Sequence, residues 1–233
     1  MKKIFILLIV LSLPSIASAQ IWATAGYGFS WLNTDGADFI IDRYNSTRNY
    51  LTKELDKPGA FTGFGINGGL NFVNIQMDVR YNFRSTQLTS EGVVNGTNFK
   101  REMDMSFDSF GFGIGYGAFE DMIGFGFGAT IEIIRPAIST KITGSSEMEV
   151  DVTSFSTAIS PHAILMIKLG KDIPLGFTIR PYYTIGIDEI DYSDLNKTIN
   201  PATYANDKAE DQVSTLKGFG IELQFGLMTS LGF

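Results

Sequence analysis

The sequence predicts an all-β protein, an eight-stranded antiparallel up-and-down transmembrane β-barrel. Three observations carry this. Apolar residues alternate with small or polar ones over many segments, as they do where side chains point to opposite faces of a strand. Beyond the first nineteen residues no stretch has the length and apolarity of a spanning helix. Tight turns and long loops alternate along the chain, which is the layout of an outer-membrane barrel with its long loops outside the cell. The composition agrees: 44% hydrophobic and 18% charged residues are too apolar for a disordered chain, and a net charge of -7 argues against a general nucleic-acid binder. The absence of Cys removes a disulfide framework and any thiolate site.

Residues 1–19 read as a secretory signal, with Lys2 and Lys3 at its basic start, Ile4 to Leu13 as the apolar stretch and Ala17-Ser18-Ala19 as the cleavage site. Ten apolar residues followed by Pro14 fall short of the roughly 20 that a membrane span needs. Residue 20 is Gln rather than Cys, so no lipid anchor is expected, and residues 20–233 should form the barrel. Its strands are expected near 21–32, 61–72, 75–86, 107–119, 122–134, 155–169, 175–187 and 216–228. Alternation is sharpest where Ile75, Met77, Val79, Tyr81 and Phe83 interleave with Gln76, Asp78, Arg80, Asn82 and Arg84. Two arginines and an aspartate do not fit a dry soluble core, so the polar face is expected inside a barrel and the apolar face in lipid.

Turn positions give a register that can be checked by parity. Pairing Phe72 with Ile75 sets the polar faces of the second and third strands together. Pairing Phe119 with Met122 matches Gly111 with Thr130, and pairing Leu169 with Leu175 sets His162 opposite Tyr182. Asn95-Gly96 is a hairpin signal that extends the third and fourth strands above the membrane. A slip of one residue would reverse every face, so the agreement points to a continuous sheet around one polar interior. The glycines of GFGIGYG and GFGFG all fall on the inward face, where a narrow barrel needs small residues. A phosphate-cradling loop is the rival reading, but these glycines alternate with Phe, Ile and Tyr along a strand, and no helix follows.

In the first long loop, Ile40, Tyr44, Thr47, Leu51 and Leu55 follow helical spacing, with Asp38 able to cap the start and Pro58-Gly59 closing the pattern. A short helix across the barrel mouth is expected there.

The inward positions collect Asp78, Arg80, Arg84, Glu132, His162, Lys168, Arg180, Tyr182 and Glu222. Four positive and three negative charges nearly cancel, which favours a lumen-filling polar network over a conducting pathway, because buried charges must be paired. His162 is the only His, and Ser160 and Glu132 share its face. If the third long loop turns at residues 144–146, Glu132 lies opposite Ala158, two inward steps from His162 and too far to orient the imidazole. No catalytic residue is assigned, and His162 is expected to be satisfied by Tyr182 or water. With one His and no Cys, no metal or cofactor is expected. Glu147, Glu149 and Asp151, like Asp188, Glu189 and Asp191, read as solvated faces.

The last segment is the most specific. Phe219, Ile221, Leu223, Phe225, Leu227, Thr229, Leu231 and Phe233 occupy every second position, and the sequence ends on Phe233. This resembles the assembly signal of bacterial outer-membrane barrels, here carried by Phe225, Leu227, Leu231 and Phe233. The chain as a whole resembles, in pattern, the small eight-stranded barrels of the OmpA transmembrane-domain and OmpX type, and the similarly sized PorT-like family. The resemblance implies a location in the outer membrane of a Gram-negative cell, with lipid and the barrel-assembly machinery as partners. It also implies a surface or secretion partner met through the external loops. The leading functional expectation is a non-enzymatic barrel with a structural or surface-interaction role; a PorT-like secretion accessory and a lipid-modifying enzyme are the alternatives.

Overall fold

In a computed structural model describing residues 19–120, 122–153, 155–170 and 172–231, ten strands form one antiparallel sheet. They are β1 (Ala19–Leu32), β2 (Leu51–Lys53), β3 (Phe61–Phe72), β4 (Ile75–Val94), β5 (Thr97–Glu120), β6 (Ile123–Ile142), β7 (Met148–Val150), β8 (Ser156–Lys168), β9 (Leu175–Asp191) and β10 (Val213–Leu231). Eight close a ring in the order β1, β3, β4, β5, β6, β8, β9, β10 and back to β1, where Ala19 pairs with Leu231 and Leu32 with Gly218. Closure matters because an open sheet would leave backbone N–H and C=O groups unpaired in lipid. The expected signal segment, residues 1–18 with the side chain of Ala19, lies outside the described residues. So do Phe233 and the side chain of Leu231.

Most of the register follows the turn chemistry. Phe72 pairs with Ile75, Val94 with Thr97 across Asn95-Gly96, Glu132 with Ala158, and His162 with Tyr182. Asn95 and Gly96 both have positive φ, which a two-residue hairpin turn matching the strand twist requires. One pairing differs from expectation: β5 and β6 meet at Glu120 and Ile123, so Gly111 faces Glu132 and Gly113 faces Thr130. The offset is two residues, so every side chain keeps its face.

The exterior is an apolar band. On β6 the outward residues from Ile123 to Ile133 are apolar, about the 9–11 residues a tilted strand needs to cross a bilayer. On the outer wall Tyr27 meets Phe29 edge-on at a centroid distance of 5.6 Å, and Phe29, Trp31 and Phe219 stack at 6.2 and 6.1 Å, forming part of an aromatic girdle beside the long loops. The closed ring and its lipid-facing band make this an integral outer-membrane β-barrel.

Above the band the polarity inverts. Past Phe83, Phe110 and Ile133 the outward residues become Ser85, Gln87, Asp108, Ser106, Arg135 and Ser139, while the inward ones become Leu88, Phe107, Met105, Met103, Ile134 and Ile138. Strands β4, β5 and β6 therefore rise out of the membrane as a wall of the soluble kind. The hairpin at Asn95-Gly96 continues about ten residues beyond Phe83, or roughly 33 Å along the strand. Two helices fill the space inside this wall, α1 (Asp35–Ser46) and α2 (Ser193–Ile199). Ala37, Ile40, Ile41 and Tyr44 of α1 and Leu195 and Ile199 of α2 are fully buried against it.

The expected first-loop helix forms, with corrected bounds. It begins at Asp35 and ends at Ser46, before Leu51, which belongs to β2 and pairs with Gly92 of β4. Asp38 is no cap, because it sits inside the helix and accepts a bond from the Thr34 hydroxyl at 3.0 Å. Burial outweighs that bond and holds the Asp38 carboxyl above the usual carboxylate range. Leu55 is still buried, but as part of an irregular return whose backbone N–H and C=O are both bonded by the Asn45 side chain.

Candidate functional site

The lumen has three layers, not one polar interior. Nearest the short turns, Trp22, Ile164, Met166 and Met228 form a small apolar plug. Above it lies a charged layer, and above that the large apolar core of the cap. The division follows from inward positions alone: Trp22 and Met228 pair across β1 and β10, while Arg180 and Glu222 pair across β9 and β10 further up.

In the charged layer Arg80 Nη2 donates to Glu132 Oε1, and its Nη1 stands 3.9 Å from Glu222 Oε1. Arg84 Nη2 lies 3.3 Å from the same oxygen, and its Nη1 donates to the carbonyls of Gly63 and Phe64 at 3.1 and 2.6 Å. Arg180 Nη2 meets Asp78 Oδ1 at 3.0 Å, and Gln76 donates to the other Asp78 oxygen at 3.1 Å. All six charged residues are almost fully buried. Three guanidiniums thus face three carboxylates, which is the neutrality a buried layer needs. Lys168, expected among them, is half-buried near the short turns beside Met166 and Met228 and takes no part in these pairs. It pairs with Gly176, four residues down β9 from Arg180 and nearer the short turns.

His162 lies opposite Tyr182 in the ladder, but its partners are others. Its ring nitrogens stand 3.0 and 3.2 Å from Arg180 Nη2, and Nδ1 is 3.3 Å from the Thr130 hydroxyl. Tyr182 instead shares a 2.7 Å bond with the Ser30 hydroxyl and lies under Arg80, whose guanidinium carbon is 5.0 Å from the ring centroid. Ser160 Oγ donates to Thr184 at 3.3 Å, and Glu132 is held by Arg80, so Ser160, His162 and Glu132 do not assemble into a relay. A cavity of about 30 Å³ beside Arg84, Glu132 and Tyr182 has room on the order of one or two waters.

The inward glycines make this layer fit. A Cβ on Gly28 would meet Arg84 Nη2 at 2.2 Å, on Gly113 the Asp78 carboxylate at 2.7 Å, and on Gly220 the Tyr182 ring at 2.2 Å. Asp78 and Tyr182 each lie across a glycine on the adjacent strand, and Arg84 reaches past β3 to lie across Gly28 on β1. We therefore expect Gly220→Ala to displace Tyr182 from Ser30 and Arg80 and to destabilise the barrel by about 1–3 kcal/mol, the usual range for overpacking. Urea unfolding of the variant in detergent micelles checks this.

The cap adds a second set of polar contacts. Arg48 lies 3.9 Å above the Tyr44 ring, donates to Asn200 Oδ1 at 3.1 Å and to the Ile199 carbonyl, and so ties α1 to α2. Asn200 donates to the Ile40 carbonyl at 3.1 Å, and the Tyr44 hydroxyl reaches Ser90 on the wall at 3.2 Å.

No family model matches the chain, and no curated protein is similar to it. Solved structures do show likenesses. The chain is similar to Ail, the attachment invasion locus protein of Yersinia pestis in complex with the heparin analogue sucrose octasulfate (13% identity, 91% of this chain and 99% of that one, TM-score 0.49). It is also similar to Neisserial surface protein A, NspA (10% identity, 90% and 96%, TM-score 0.39), and to the outer-membrane protease OmpT from Escherichia coli (8% identity, 93% and 97%, TM-score 0.29). The eight-stranded fold itself rests on the closed strand register.

Proposed function

We propose that this protein is a non-enzymatic surface barrel whose membrane part anchors a rigid extracellular cap that makes contacts outside the cell. The observation that carries this reading is the three-layered interior. A neutral charge layer closed by an apolar plug on one side and the buried cap core on the other offers no aqueous route, since hydrophobic constrictions exclude water. What the structure presents to the outside is an ordered wall of β4, β5 and β6, and loops on a rigid scaffold are where binding is usually carried.

Gene deletion distinguishes this role from the others. A surface role predicts unchanged lipid A and an unchanged set of secreted proteins, with altered cell-to-cell or cell-to-surface attachment. A block in secretion would instead select the PorT-like role, and altered acylation a lipid-modifying enzyme. Because His162 is the only side chain in the chain whose ordinary pKa lies near neutrality, a general base would have to be this residue. We expect His162→Ala to assemble normally and leave lipid A mass spectra unchanged. Loss of a general base typically costs about a hundredfold or more, so an enzyme would show it.

A further inference from the structure

We infer that a groove on the outer flank of the wall, between β6 and the return through β7, is a docking site for an extended cationic polypeptide segment. The inference rests on the surface-binding reading above and names the chemistry of its partner.

The groove exists because β6 changes partner. Its residues Ile138 to Thr140 pair with Val150 to Met148, and Ile134 pairs with Ser156, so residues 135–137 have only β5 beside them. Pro136 occupies the middle of this gap. Thr143 donates its N–H to Lys100 on β5, so even positions of β6 aim their backbone groups toward the gap, and the missing Pro136 N–H costs no ladder bond. β7 ends at Val150 and β8 begins at Ser156, and beside this gap lies a cavity of about 500 Å³, well within the roughly 300–1,000 Å³ of ligand pockets.

Its lining fixes the partner's character. Asp104, Glu147, Glu149 and Asp151 bring four carboxylates to the groove against the single guanidinium of Arg135, while Ala137, Val152 and the exposed Phe155 supply apolar surface. Glu147 is ordered by the Ser139 hydroxyl at 2.5 Å. The end of β9 joins the same flank: the Asp191 backbone N–H donates to the Thr153 hydroxyl at 2.8 Å, and the Asp188 carboxylate accepts from the Thr157 N–H at 2.9 Å. The groove lies just above the lipid boundary between Ile133 and Arg135. Anionic lipid headgroups would be repelled there, as would a second copy presenting the same face. Lysine or arginine side chains interleaved with apolar ones match both components.

The test uses the full barrel in nonionic detergent micelles and fluorescein-labelled hepta-arginine as probe, read by fluorescence anisotropy. Saturable binding is expected, weakening about tenfold or more in the triple variant E147Q/E149Q/D151N and falling with added salt. Arg135→Ala should bind the probe more tightly. Hepta-glutamate should not bind. Equal affinity of wild type and triple variant, with both shown to be folded by heat-modifiable migration, would overturn the proposal. So would binding of lipopolysaccharide with divalent cation, but not of hepta-arginine, at these residues. Failure here with an attachment defect intact in the deletion strain would reject this occupant alone; loss of both would reject the surface role.

Discussion

Replacing Glu222 by leucine is expected to lower the stability of the membrane barrel by about 3–5 kcal/mol, the usual cost of removing one partner of a buried ion pair. Glu222 Oε1 faces both Arg80 and Arg84, so the variant leaves three guanidiniums with two carboxylates in a closed layer. The cause is the unbalanced charge and not the loss of a contact as such. The double variant Glu222→Leu with Arg84→Met restores neutrality with apolar groups of similar length, and such replacements are often neutral or stabilising. Urea unfolding in micelles separates the two variants. Equal losses would show that charge balance is not what the layer requires.

The cap responds to a different substitution. Ile40→Asp places a carboxylate where Ile40 is fully buried in the apolar core of the cap, and such burial costs several kcal/mol. We expect the cap to open while the barrel stays closed, because the ring of eight strands and its charge layer lie below. Trypsin should then cut the variant at Arg43, Arg48 or Lys53 in intact cells, with heat-modifiable migration retained. Loss of that migration would mean that cap and barrel fold only together.

Turn chemistry made the strand order readable: β3 has the expected bounds, and the Asn95-Gly96 hairpin falls where its residues require it. The expected fifth strand, by contrast, stops at 134 near the lipid boundary, whereas β6 runs on to Ile142. Beyond Phe83, Phe110 and Ile133 the apolar residues switch to the inward face, and a search for one persistent lipid-facing pattern ends at the switch. The inversion itself was visible in Met103, Met105 and Phe107 and in Ile134 and Ile138, and it marks where lipid gives way to water. Helix α2 spans only Ser193–Ile199, too short for helical spacing to stand out, and is held by Asn196 and Asn200 side chains. Parity identified the six charged residues of the lumen but not their partners. Whether Glu132 meets His162 or Arg80 depends on chains that come from non-adjacent strands, and β4 reaches across the lumen to β6 and β10.

Single-channel recording in planar bilayers tests the sealed, three-layered barrel most directly. Purified protein should give no stable conductance, because the apolar plug around Trp22 and the core around Tyr44 close both ends of the charge layer. A steady conductance on the order of a nanosiemens, as expected of a wide water-filled barrel, would contradict it.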